Sequence, residues 1–190
     1  EAENYLEQTL DEIIEFAELI QNLNFTNLDP NELSSGLSYK EWFVEKARQW
    51  LEGIPSSVVR QYKIKQLMGL VEKGARQLER KPRHGDFTPW HIFKLSNRKL
   101  CLFDAEHALS KGVEYYDIAY YIQRIFGVLQ NKEVAEKILN KLRDLDYDFS
   151  KLQTVLAARA IGGFLDKSFH EKPDYKIDQE FKNFVTTTLI

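Results

Sequence analysis

The sequence predicts a mainly α fold with a small β component (α+β): a series of helices interrupted by one short hairpin. Three observations carry that expectation. Apolar residues recur at three- and four-residue spacing through most of the chain. The spacing lapses after Pro82, where Ile92-Phe93-Lys94-Leu95 and Lys99-Leu100-Cys101-Leu102-Phe103 flank the polar Ser96-Asn97-Arg98. It resumes at Tyr116 and continues to the last residues.

Taken in order, Leu6, Leu10, Ile13, Ile14, Ala17 and Ile20 predict an amphipathic helix from about Asn4 to Asn22. Asn27 to Gly36, with Asp29-Pro30 and Ser34-Ser35-Gly36, reads as a polar loop. Ser38 then caps a helix with Glu41 as its capping-box partner, and Trp42, Phe43, Ala47, Trp50 and Leu51 face inward. Gly53-Ile54-Pro55 stops it. Ser56 or Ser57 opens a third helix carrying Val58, Tyr62, Leu67, Leu70, Val71 and Leu78 up to Arg80. Arg76 to Arg83 reads as a solvated basic face. After the hairpin come helices at about Tyr116–Leu129, Lys132–Arg143, Leu152–Phe169 and Asp178–Thr187. Gly162-Gly163 either bends the third of these or admits another helix closely.

Composition sets outer limits. The 190 residues fit one domain with enough mass for a proper core. A net charge of −3 gives no broad basic field, so nothing points to nucleic acid or an anionic membrane as partner. No apolar run approaches the roughly 20 residues that span a bilayer. Cys101 is the only cysteine, so no internal disulfide forms. Its apolar neighbours predict a buried thiol in a reducing compartment, and a cytoplasmic protein is expected.

The chemistry concentrates in one stretch: Arg83-His84-Gly85-Asp86-Phe87-Thr88-Pro89-Trp90-His91-Ile92, then Leu102-Phe103-Asp104-Ala105-Glu106, then Tyr116-Asp117. A carboxylate follows His-Gly, a polar residue comes five positions later, and a second Asp ends a short apolar run. That layout suits phosphoryl transfer, which needs one carboxylate for the attacking hydroxyl and further ligands for the metal on the nucleotide. Pro89 stiffens the loop through its fixed φ. Trp90 reads as core. His107 and His170 read as surface residues, and Glu106 either assists Asp104 through a water or is a solvated loop carboxylate.

These residues resemble the signature of the aminoglycoside phosphotransferase and choline kinase superfamily, small-molecule kinases of protein-kinase-like fold. The signature runs H-G-D-x-x-x-x-N, a hydrophobic hairpin ending in Asp, then an Asp opening a helix. His84-Gly85-Asp86, Asp104 and Asp117 match it, and His91 stands in the Asn slot. The resemblance implies a helical C-terminal lobe with a β-hairpin at the catalytic loop. It implies Asp86 as catalytic base with His84 keeping it aimed, and Asp104 and His91 as ligands of the metal–nucleotide. Asp117 and Gly85 would support the turn. Mg²⁺ or Mn²⁺ with ATP or GTP is the implied co-substrate, and a small hydroxyl compound the acceptor.

Three roles are open to His91: a ligand for a softer metal, a hydrogen-bond partner of Asp86 or Asp104, or the mark of a site without activity. Twelve residues separate Asp104 from Asp117. A connector that short offers no platform for a peptide, which favours an amino sugar, amino alcohol or related metabolite. The chain contains no G-x-G-x-x-G cluster and no strand-borne V-A-x-K. The expectation is therefore a single domain, 1–190, forming a C-terminal lobe without its nucleotide-binding N-terminal lobe and inactive alone. The alternative is a pseudokinase-like module that binds a ligand or partner.

Overall fold

The computed structural model describes residues 9–24, 36–95 and 99–187. In chain order these form α1 (Leu10–Gln21), α2 (Tyr39–Gly53), α3 (Ser56–Gln61), α4 (Lys65–Gly74), β1 (Arg80–Arg83), β2 (Ile92–Lys94), β3 (Leu100–Leu102), β4 (Leu109–Val113), α5 (Tyr116–Gly127), α6 (Lys132–Asp144), α7 (Phe149–Ser168) and α8 (Lys176–Thr187). Single 3-10 turns occupy Ala75–Gln77 and Ala105–His107. The fold is mainly helical with a small β component, as the periodicity predicts, and it holds two small antiparallel ribbons where one hairpin is expected. The first residues of the opening helix, most of the 27–36 loop and the hairpin turn at 96–98 lie outside the described residues.

The centre of the molecule is α7, in which every residue from Thr154 to Phe164 is buried. A helix buried on all sides must be surrounded, and α2, α4, α5 and α8 pack around it. Gly162-Gly163 does not interrupt it. A Cβ on Gly163 would stand 3.0 Å from Asp178 Oδ1 and 3.1 Å from Gln123 Nε2, so this glycine lets α5 and α8 close in together. The capping box at α2 forms as the sequence predicts: Glu41 N–H donates to Ser38 Oγ, and Ser38 N–H donates to Glu41 Oε2. Phe43 and Ala47 are buried, while Trp42, Trp50 and Leu51 are only partly covered.

The expected single helix from Ser56 to Arg80 is instead two helices and a strand. Lys63 adopts φ 51° and closes α3: its N–H donates to Arg60 O, and Ile64 N–H donates to Val59 O. That is a Schellman closure with lysine in the position usually given to glycine, and burial of Ile64 holds it in place. Beyond Gln77 the chain extends, and β1 pairs with β4 through Arg80↔Val113, Lys81↔Gly112 and Arg83↔Leu109. The register slips between Lys81 and Arg83, where Pro82 has no N–H to give. Arg83 is thus a buried strand residue, not part of a solvated helix face.

The second ribbon is the expected hairpin, with Ile92↔Leu102, Phe93↔Cys101 and Lys94↔Leu100 in register. Only one face of this short ribbon meets the core. Cys101 is consequently half-buried, and Trp90, Phe93 and Phe103 are exposed, contrary to the core placement expected for Cys101 and Trp90. Among the described residues no helix is long and apolar enough to cross a membrane.

Candidate functional site

The turn after β1 is fixed from three directions. Phe87 is fully buried against Phe16 of α1 and Tyr121 of α5, with ring centroids 6.1 and 5.7 Å away. Burying such a ring contributes about 1.5–3 kcal/mol and ties the turn to the core. Asp117, in the first turn of α5, accepts the His84 N–H at 2.7 Å and the Gly85 N–H at 2.9 Å. Burial pushes the Asp117 carboxyl above the usual carboxylate range, against the pull of those two N–H groups, Arg83 and His84. Gly85 sits at φ 88°, and a Cβ there would fall 2.3 Å from the carbonyl oxygen of His107, so no other residue fits.

His84 is buried, and its Nδ1 accepts the Asp86 N–H at 3.3 Å. That bond sets the direction in which the Asp86 side chain leaves the backbone. It also assigns the ring proton to Nε2, which is buried without a partner among the described residues.

Asp86, His91 and Asp104 come together, each offering one ligand atom within 4.8 Å of the others. His91 stands between the two carboxylates. Its Nδ1 lies 3.2 Å from Asp86 Oδ2 and 3.2 Å from the Asp86 carbonyl oxygen. Both neighbours are acceptors, so Nδ1 carries the proton and donates. The lone pair of a neutral ring then sits on Nε2, facing Asp104 Oδ2 at 4.0 Å. A lone pair facing a carboxylate calls for something positive between them, a proton or a cation.

The group could hold a metal ion. Two ligands at about 2.1 Å stand roughly 3.0–3.4 Å apart at octahedral or tetrahedral angles, so for Nε2 and Asp104 to share one ion the carboxylate must close in from 4.0 Å. A ligating histidine that donates its other N–H to a carboxylate is a recurrent metal-site pattern. Asp104 adopts a left-handed backbone, φ 63° and ψ 63°, and its side chain is 48% exposed. Asp is among the few non-glycine residues that adopt this conformation readily.

Of the remaining sequence candidates, Glu106 is exposed, pairs with His107 at 3.4 Å and is not one of the clustered ligand groups. His170 is exposed.

The sequence reading missed the residues on the other side of the turn. Trp42, Lys46 and Trp50 of α2, Tyr116 and Tyr120 of α5, and Arg159 of α7 line a cavity of about 380 Å³ that Arg83 and Gly85 also border. Two signals were present. Trp42, Lys46 and Trp50 are spaced four apart on one helix face, and Arg159 is the single charge between Lys151 and Asp166.

Compared with known proteins, the chain matches no family model, no curated protein and no solved structure.

Proposed function

We propose that this chain carries the catalytic turn and metal site of a small-molecule phosphotransferase, one that moves the terminal phosphoryl group of ATP or GTP onto a hydroxyl. The supporting observation is the Asp86–His91–Asp104 trio on a turn that Asp117 holds from beneath. Asp86 is the base: one carboxylate oxygen accepts from His91, which orients the group, and the other is left to the acceptor hydroxyl. As the hydroxyl loses its proton to Asp86, its oxygen forms a bond to the γ-phosphorus. The bond from that phosphorus to the β,γ-bridging oxygen breaks, nucleoside diphosphate leaves, and Asp86 passes the proton to water. Asp104 and His91 would hold the divalent cation, Mg²⁺ or Mn²⁺, which when bound neutralises charge on the phosphate oxygens. Phe93 and Phe103, edge-on at 5.1 Å and exposed near Asp104, offer an apolar surface on that side.

A second reading, a pseudokinase-like binding module, draws on one observation: His91 already engages an Asp86 oxygen where relatives of the motif carry Asn. One titration separates the two. Calorimetry with MnCl₂, alone and with ATP, should show a single saturable metal site that Asp104→Ala removes and His91→Ala weakens. Absence of saturable Mn²⁺ binding under both conditions would overturn the phosphotransferase reading and leave the binding module.

A further inference from the structure

The cavity beside the Asp86 turn is built around two arginines that have no acidic partner among the described residues. Arg83 is 8% exposed and Arg159 5% exposed. The Arg83 guanidinium lies 3.8 Å over the Tyr116 ring and 5.1 Å from that of Trp42. Arg159 repeats the arrangement one turn along, 3.8 Å over Tyr120 and 5.1 Å from Trp50. Each cation is thus flanked by a tryptophan of α2 and a tyrosine of α5.

A guanidinium carries five N–H donors. Among the described residues Arg83 donates none of them to the protein, and Arg159 donates only to the Tyr116 hydroxyl, at 3.1 Å. The Nε of each is buried without a partner. Neither forms an ion pair among the described residues. Arg124 at the rim differs, because Asp166 neutralises it at 3.1 Å.

Burying a guanidinium without an anion is costly, and stacking on rings offsets only part of that cost. The arrangement lowers the free energy of an incoming anion, whose oxygens would meet a pre-aimed fork instead of water. Burial would push the Tyr116 hydroxyl up, yet Arg159 and Arg83 outweigh it and hold that hydroxyl below its ordinary value, while burial pushes the Tyr120 hydroxyl in the same cavity up. Gly85 forms part of the cavity wall, so a ligand here lies against the turn that bears Asp86.

We propose that this cavity holds the anionic group of the acceptor: a phosphate ester or carboxylate on a hydroxyl-bearing molecule of about monosaccharide size. Anion binding stands on the cavity alone, while the assignment of the anion as acceptor rests on the phosphotransferase reading. The volume suits a small ligand, and the Trp42 and Trp50 rings supply flat walls. Glu106 and Asp166 also line the cavity, but they pair with His107 and Arg124, which leaves the positive charge of Arg83 and Arg159 to disfavour a cationic amino sugar or amino alcohol.

The test is a binding titration without metal or nucleotide, at low ionic strength, read by tryptophan fluorescence and calorimetry. The probes are glucose 6-phosphate, glucuronate, glucose and glucosamine. At least one anion should bind about tenfold or more tightly than glucose and glucosamine, and Arg83→Gln and Arg159→Gln should each weaken it about tenfold or more. The tighter of the two anions identifies the group as phosphate ester or carboxylate. Binding of neither anion, equal binding of glucosamine, or unchanged binding in folded Gln variants overturns the proposal.

Should the Gln variants fail to fold, wild-type binding must weaken as salt rises and yield to competing inorganic phosphate, and failure of both overturns it. Anion binding without saturable Mn²⁺ binding would remove the phosphotransferase reading alone, and saturable Mn²⁺ binding without anion binding would remove this inference alone.

Discussion

On one side of the Asp86 turn two carboxylates and an imidazole lie within 4.8 Å of one another, and on the other two buried guanidinium groups stack between tryptophan and tyrosine rings. The acidic side is built on a loop and a hairpin end, with Asp104 half in solvent and its backbone left-handed. The cationic side is built on α2, β1, α5 and α7, with its arginines inside the core. A half-exposed carboxylate can swing to meet a cation that arrives with a nucleotide. Arginines fixed by packing cannot, so their geometry must be right before the ligand comes, and they suit recognition of one shape.

The sharpest way to separate the two sides is to disable only one. Where a nucleotide-binding lobe completes the site, Asp86→Asn should lower phosphoryl transfer about 10²–10⁴-fold, the range for loss of a positioned base. Anion affinity should stay within about twofold, since Asp86 does not hold the anion. Parallel kinetics and binding on the variant decide this, and a matching collapse in anion affinity would mean the two sides are one site.

Asp117 serves both sides, because it pins the turn between them. Asp117→Ala leaves the His84 and Gly85 N–H groups buried without acceptors, at about 1–3 kcal/mol for each. Urea unfolding should report a loss of that order, and Mn²⁺ affinity should fall with it as Asp86 loses its aim. Retained stability would show that water replaces the carboxylate and that the turn holds by itself.

His91→Asn acts within the acidic side. An amide oxygen prefers Mg²⁺ and imidazole prefers Mn²⁺, so the ratio of Mn²⁺ to Mg²⁺ affinity should drop roughly tenfold. Imidazole must also lose its proton to ligate, so wild-type metal affinity should fall on acidification and the variant's should fall less. Calorimetry at two pH values checks both, and an unchanged ranking would make His91 solely a partner of Asp86.

The smallest effect lies away from both. Asp148 caps α7, the helix that carries Arg159, by accepting the Ser150 and Lys151 N–H groups. Asp148→Ala should cost about 1 kcal/mol and leave anion and metal binding unchanged. The hydrogen bond from the Ser150 hydroxyl holds the Asp148 carboxyl below its ordinary value. A depressed carboxyl stabilises the fold above its unfolded value, and that contribution disappears as pH falls through the folded one. The stability gap between wild type and variant should therefore be present at neutral pH and shrink below about pH 4.

Local chemistry is what the sequence determined by itself. The α2 capping box, the breaks at Gly53-Ile54-Pro55 and near Leu129, and the β2–β3 pairing depend on residues a few positions apart. The Asp86–His91–Asp104 trio was legible for the same reason, as a motif inside a short stretch. What only the tertiary structure decided depends on residues distant in the chain. The Lys63 closure of α3 carries no glycine to announce it, and burial of Ile64 holds it. The β1–β4 ribbon pairs segments about thirty residues apart, and it turned Arg83 from an apparent surface charge into a buried one. Arg159 is a lone charge in an apolar helix until packing brings Trp50 and Tyr120 against it. Backbone propensity acts over one turn of helix or one tight loop, whereas the desolvation that makes an arginine a ligand site exists only once several elements close around it.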